Sequence, residues 1–69
     1  MNRTPVVSSN VAYVGYDEDS STLEIEFNNG TVYQYFDVSK NIYDGLIGAD
    51  SVGSYLASYI KGRYRYSKV

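Results

Sequence analysis

The last nine residues, Lys61-Gly62-Arg63-Tyr64-Arg65-Tyr66-Ser67-Lys68-Val69, interleave four basic side chains with two tyrosines and hold no acid. In an extended chain, alternate side chains point to opposite sides. Arg63 and Arg65 then share one side, and Tyr64 and Tyr66 the other. Cations that meet phosphates beside rings that stack on bases are the chemistry of single-stranded nucleic-acid binding. The competing reading is structural: the tyrosines dock the segment and the arginines balance an acidic domain. Tyr33-Gln34-Tyr35 forms a second aromatic set, either a stacking surface or core residues at alternate strand positions.

The acidic residues suggest less. Asp17, Glu18 and Asp19 cluster in sequence and would attract a hard cation. They lack the twelve-residue pattern of a calcium loop and read as a solvated turn. Glu24 and Glu26, two apart, resemble a carboxylate pair, but an outward polar strand face accounts for them. Lys40 has no sequence neighbour that would lower its pKa. With no histidine and no cysteine, nucleophilic triads and the usual zinc sites are excluded. The six glycines are scattered and form no phosphate loop. No catalytic residue, cofactor or metal site is predicted, and the chain reads as a non-catalytic binding module.

These residues must be positioned by a single small domain. A chain of 69 residues buries only about 60% of the surface its unfolded form exposes. Without cysteine or tryptophan, the nine tyrosines, two phenylalanines and the aliphatic residues must build the core, with oligomerisation as a further source of burial. The net charge is −2, but the first 60 residues hold two basic and eight acidic side chains. Only the C-terminal segment therefore offers a basic surface. No run approaches the ~18 apolar residues of a membrane span, and Met1-Asn2-Arg3-Thr4-Pro5 lacks the apolar heart of a signal peptide. A cytoplasmic setting without a membrane partner is predicted.

Residues 1–9 read as a flexible lead-in and 10–69 as the domain. Asn10 to Asp17 is rich in β-formers, and residues 18–21 form a turn. Thr22-Leu23-Glu24-Ile25-Glu26-Phe27 alternates apolar with acidic, the pattern of a half-buried strand. Asn28-Asn29-Gly30 signals a hairpin, and Thr31 to Phe36 returns as a third strand. A two-residue turn would send Gln34 into the core, where an unpartnered polar group costs about 1–3 kcal/mol. A three-residue loop with Gly30 in the left-handed bulge position instead pairs Ile25 with Tyr33, Leu23 with Tyr35 and Glu24 with Gln34. The bulged loop is therefore predicted. The 18–21 turn pairs Tyr16 with Leu23 and Val14 with Ile25. One face then carries Ala12, Val14, Tyr16, Leu23, Ile25, Phe27, Tyr33 and Tyr35 as core. The other carries Val11, Tyr13, Glu24, Glu26, Val32, Gln34 and Phe36.

Two short helices follow. Ser39 is a good N-cap, with Val38 placed to staple onto Tyr43. Ile42, Tyr43, Leu46 and Ile47 form one apolar stripe, which Gly48 ends. Asp50 or Ser51 caps a second stripe of Val52, Tyr55, Leu56, Tyr59 and Ile60, which Gly62 stops. Gly45 and Gly53, each costing about 1 kcal/mol within a helix, point to close packing against the sheet. The predicted architecture is α+β: a three-stranded antiparallel meander, then two helices over one face (βββαα), then the basic-aromatic tail 61–69.

Several of these residues, taken in order, resemble the KTSC family, a short domain named for its place at the C-terminus of some lysyl-tRNA synthetases. They are Gly15-Tyr16-Asp17, Leu23-x-Ile25-x-Phe27-x-x-Gly30, Tyr33-x-Tyr35, Ser51-x-Gly53-x-Tyr55, Ile60 and Tyr64-x-Tyr66. The resemblance runs from about Ser9 to Val69. Lys40 stands where the family tends to have proline, and Ala57 and Tyr59 stand where relatives often carry polar residues. Through the synthetase context the resemblance implies RNA binding.

Two functions are thus predicted. The first is an RNA or other nucleic-acid module in which Lys61, Arg63, Arg65 and Lys68 contact phosphates while Tyr64 and Tyr66, with Tyr33 and Tyr35, stack. The second is a protein-interaction or self-association module that uses the Tyr13, Val32 and Phe36 face.

Overall fold

A computed structural model describes residues 3–69. The chain forms an antiparallel sheet of five strands in sequence order: β1 Arg3–Pro5, β2 Val11–Asp17, β3 Thr22–Phe27, β4 Val32–Tyr35 and β5 Tyr66–Lys68. Two helices, α1 Lys40–Ile47 and α2 Val52–Tyr59, intervene between β4 and β5. The α+β class and the central meander agree with the sequence reading. Five strands replace the expected three, because part of the supposed lead-in and part of the tail each pair with a sheet edge.

The hairpin after β3 is the bulged one. Gly30 has φ 87°, a conformation that only glycine adopts without cost. Its N–H donates to the Phe27 carbonyl at 2.9 Å. Leu23 pairs with Tyr35, Glu24 with Gln34 and Ile25 with Tyr33. The register of β2 with β3 is also as predicted at Tyr16–Leu23 and Val14–Ile25.

The exception lies at the start of β2. Val11 pairs with Phe27 and Tyr13 with Glu26, so Ala12 is an extra residue. Such a bulge resets the alternation. Val11, expected on the outer face, turns inward and is 1% exposed, while Ala12 is only half-buried. The Ala12 carbonyl accepts from the Val6 N–H at 3.2 Å and so holds the incoming chain.

The helices cover the inner face of β2 and β3. Val14, Leu23, Ile25, Val38, Leu46, Leu56 and Ile60 are fully enclosed between the layers. Ser39 sits at the N-cap of α1 without side-chain capping, whereas the Ser51 hydroxyl accepts the Ser54 N–H at the start of α2. The helical glycines answer to contacts other than the sheet. A Cβ on Gly45 would lie 2.2 Å from the Tyr55 hydroxyl oxygen, so a side chain there would displace the Tyr55 ring of α2. One on Gly53 would meet the Asn10 side chain at 2.7 Å. Tyr16 donates its hydroxyl to the Val38 carbonyl at 2.5 Å and stacks on Tyr43 with centroids 5.1 Å apart, tying the start of α1 to β2.

The outer face is polar. Arg3 pairs through Nε with Glu24 Oε2 at 2.6 Å and through its other guanidinium arm with Glu26, while Gln34 donates to Glu24 at 3.0 Å. The two carboxylates therefore hold β1 in place. Glu26 stands in register between Tyr13 and Val32 and interrupts the apolar set read from the sequence. Asp17 is likewise occupied, accepting the Asp19 N–H and the Ser20 hydroxyl. No helix among the described residues is long and apolar enough to cross a membrane.

The hydrogen bond from Arg3 lowers the Glu24 pKa against the opposing effect of burial, with Gln34 adding to the lowering. A depressed folded-state pKa adds stability above the unfolded carboxylate value of ~4.3 and loses it as pH falls through the lower folded value. The urea midpoint is therefore expected to drop below about pH 4. Arg3→Ala is expected to shrink that acid-side drop. An unchanged pH profile in Arg3→Ala would show that the pair is not coupled to folding.

Candidate functional site

The sheet extends beyond the helices on its inner face. There the β4 and β5 rows continue the core as an open aromatic surface. Tyr35 pairs with Tyr66, and Tyr33 with Lys68. Phe27 adds its ring from the end of β3, and the turn after α2 brings Lys61 and Gly62 from the other side. Together Phe27, Tyr33, Tyr35, Lys61, Gly62 and Tyr66 line a groove of about 360 Å³.

Burial is graded across it. Tyr35 is 4% exposed and forms the floor, Tyr33 is half-buried, and Tyr66 is 61% exposed at the lip. Tyr33 lies edge-on to Phe27 and to Tyr66, with centroids 5.8 Å apart in each pair. Tyr35 and Tyr66 are tilted by 39° at 5.8 Å. Aromatic pairs favour such edge and offset contacts. The Lys61 ammonium sits 5.5 Å from the Phe27 centroid, a cation–π contact.

The groove is lined by four aromatic rings, three of them phenols, with the Lys61 ammonium and no carboxylate. Burial raises the Tyr35 pKa, and the neighbouring Tyr33 and Tyr66 hydroxyls push it the same way. The Tyr35 phenol therefore stays protonated at neutral pH and available as a donor. Such a surface suits a flat ligand that carries acceptors or negative charge.

Of the residues read from the sequence, Tyr33, Tyr35, Lys61 and Tyr66 converge here. Lys68 is in register beside Tyr33 but lines no part of the groove. Arg63 donates to the Ser58 carbonyl at 3.1 Å, and Arg65 pairs with Asp37 at 3.0 Å. Tyr64 is half-buried and packs against the core. The expected extended arm, with Arg63 and Arg65 opposite Tyr64 and Tyr66, does not form. Residues 61–63 are a turn closing α2, and only the segment after Arg65 joins the sheet. Phe27 was assigned to the core instead. Its place in the Leu23-Ile25-Phe27 alternation gives its face but not how far the helices reach.

Comparison with known proteins places this geometry in a wider set. The KTSC domain family matches residues 7–64. A crystal structure of a KTSC domain protein from Yersinia pestis superposes with a TM-score of 0.96 at 35% identity, covering 99% of this chain and 96% of that one. An uncharacterised protein of Stutzerimonas stutzeri is 34% identical over 70 residues, spanning 100% of this chain and 99% of its own length. A lysine–tRNA ligase of Trichormus variabilis is 37% identical over 54 residues, which are 78% of this chain but only 10% of the ligase. The match over most of the chain and the near-complete structural superposition establish that this chain belongs to the KTSC domain family.

Proposed function

We propose that the chain is a non-catalytic, cytoplasmic RNA-binding module that takes a base in the groove between Tyr33, Tyr35, Tyr66 and Phe27. The observation that carries this reading is the convergence of four rings and one ammonium on an open surface without a carboxylate. The similarity to a segment of a lysine–tRNA ligase adds support from context.

Charge sets the balance of forces. The chain is net negative, Arg65 is paired with Asp37 and Arg63 is turned to Ser58. Among the described residues, Lys61 and Lys68 make neither an ion pair nor a side-chain hydrogen bond and can meet phosphates. Stacking therefore carries more of the affinity than phosphate contact does. Two phosphate contacts give a slope of about −1.4 in log affinity against log salt, from roughly −0.7 per contact on a single strand. Tyr66→Ala removes one stacking ring, worth ~1–3 kcal/mol, and is expected to weaken binding about 5- to 150-fold. Titration of a fluorescent single-stranded RNA at low ionic strength reads both effects. No binding by the unaltered chain would remove the proposal, and equal binding by Tyr66→Ala would move the site elsewhere.

A protein-interaction role is the second reading, favoured by Tyr13 at 40% exposed and by half-buried Val32 and Phe36 on the same outer face, with Glu26 between Tyr13 and Val32. A clean monomer by light scattering at high concentration argues against its self-associating form.

A further inference from the structure

We infer that the groove receives one nucleotide at a time, base against Tyr33 and Tyr66, phosphate on Lys61, and that Lys61 leaves the Phe27 ring to make this contact. The inference rests on the RNA-binding reading and states what the groove itself takes. Its volume of about 360 Å³ lies near the bottom of the ~300–1,000 Å³ range of small-ligand sites. That is room for a single base with its sugar, not for a stacked run.

The ring geometry supports a ligand in this place. Tyr16 and Tyr43 lie nearly parallel, 13° between planes at 5.1 Å, a pair already closed on itself. The groove rings are instead inclined by 39° to 83°, in edge and tilted contacts, and no two of them are stacked in parallel. Tyr66 presents its ring at the lip, largely open to solvent. Stacking on such a ring tolerates any base, because every base has a π-face.

Lys61 fits the part of a displaceable occupant. An exposed cation over a ring is held weakly, and a charge-assisted contact to phosphate is stronger. Departure of the ammonium uncovers the Phe27 face as it neutralises the ligand. A cationic ligand finds no carboxylate in the lining and competes with Lys61 for the same ring. A flat group joined to a phosphate satisfies both features at once.

The test is an NMR titration of the full chain with uridine, uridine monophosphate, phenyl phosphate and a single-stranded RNA octamer, run in parallel on Lys61→Met and Lys61→Arg. The monophosphate is expected to shift the Tyr33, Tyr35 and Tyr66 ring signals. It is expected to bind about ten-fold more tightly than uridine, the size of one charge-assisted contact. Lys61→Met is expected to bring the monophosphate down to the level of uridine in that variant, and the charge-conserving Lys61→Arg to keep the monophosphate tighter than uridine. If the octamer shifts the same rings and binds more tightly than the monophosphate, the ligand is a nucleotide within a strand; if the two match, it is the free nucleotide. Three results overturn the inference: equal binding of monophosphate and uridine, an equal loss of both in Lys61→Met, or phenyl phosphate matching the monophosphate. The last result would point to a phosphorylated aromatic side chain. An octamer that binds without moving the three tyrosine rings overturns the inference but leaves RNA binding standing. No binding by any probe removes both.

Discussion

Leu56→Ala is expected to leave the chain largely unfolded at room temperature. Leu56 projects from α2 into the middle of the core and is fully enclosed. Truncating a buried leucine costs ~2–5 kcal/mol, part for lost transfer and part for the cavity left behind. A domain of this size, with no disulfide to restrain it, has a core worth about 3–5 kcal/mol in net stability. The two quantities are comparable, so one substitution removes most of the margin. Urea denaturation followed by circular dichroism should show the midpoint falling towards zero denaturant. Ser58→Ala, exposed on the same helix, should change stability by no more than about 0.5 kcal/mol. Equal stability of the two variants would mean that α2 contributes little to the core.

Tyr35 gives the second large effect and separates folding from binding. Its ring is almost fully buried under β5, tilted against Tyr66. Tyr35→Ala is expected to cost ~3–5 kcal/mol, as for other large aromatic residues in a core. It should also remove the floor of the groove. Tyr35→Phe keeps the ring and loses only the hydroxyl, which adjoins those of Tyr33 and Tyr66. Its expected cost in stability is about 1 kcal/mol or less. Retained stability with weakened RNA binding in Tyr35→Phe would assign the hydroxyl to the ligand. Retained binding would exclude the hydroxyl and leave the ring as the part of Tyr35 that serves the groove.

Much of the fold was legible because local and global signals agreed. Gly30 and the cost of burying Gln34 together specified the hairpin register, and that register placed Tyr33 and Tyr35 on the inner face. The helix stripes were equally plain, since Ile42 and Leu46 in the first helix, and Val52, Leu56 and Ile60 in the second, recur at helical spacing. What was missed shares one physical cause: it depends on contacts distant in sequence. β1 has three residues and no pattern, and its place is secured by Arg3 reaching Glu24 and Glu26, more than 20 positions away. β5 is equally short and forms on the edge of β4. The bulge at Ala12 leaves no signature in a run of β-formers, so Val11 was placed on the wrong face. At the groove, the sequence marked Tyr33, Tyr35, Lys61 and Tyr66, but it did not show that Arg63 and Arg65 are engaged within the fold. Phe27 does pack against the core, as its alternation implies; that pattern gives its face but not that the same ring also lines the groove.

One wall of the groove is also the margin of the sheet. Tyr66 stands on β5, whose flanks are anchored to β4 by the Phe36 amide on the Arg65 carbonyl and the Val69 amide on the Val32 carbonyl. Fraying of that ladder and loss of the ligand cradle are one event, so they share a free energy. Whatever occupies the cradle must also zip the final strand, and whatever peels that strand away must eject the occupant by the same factor. On the proposed function, recognition and the integrity of the sheet border are thermodynamically linked, and a partner that engages the free side of β5 would gain a lever on the groove without entering it.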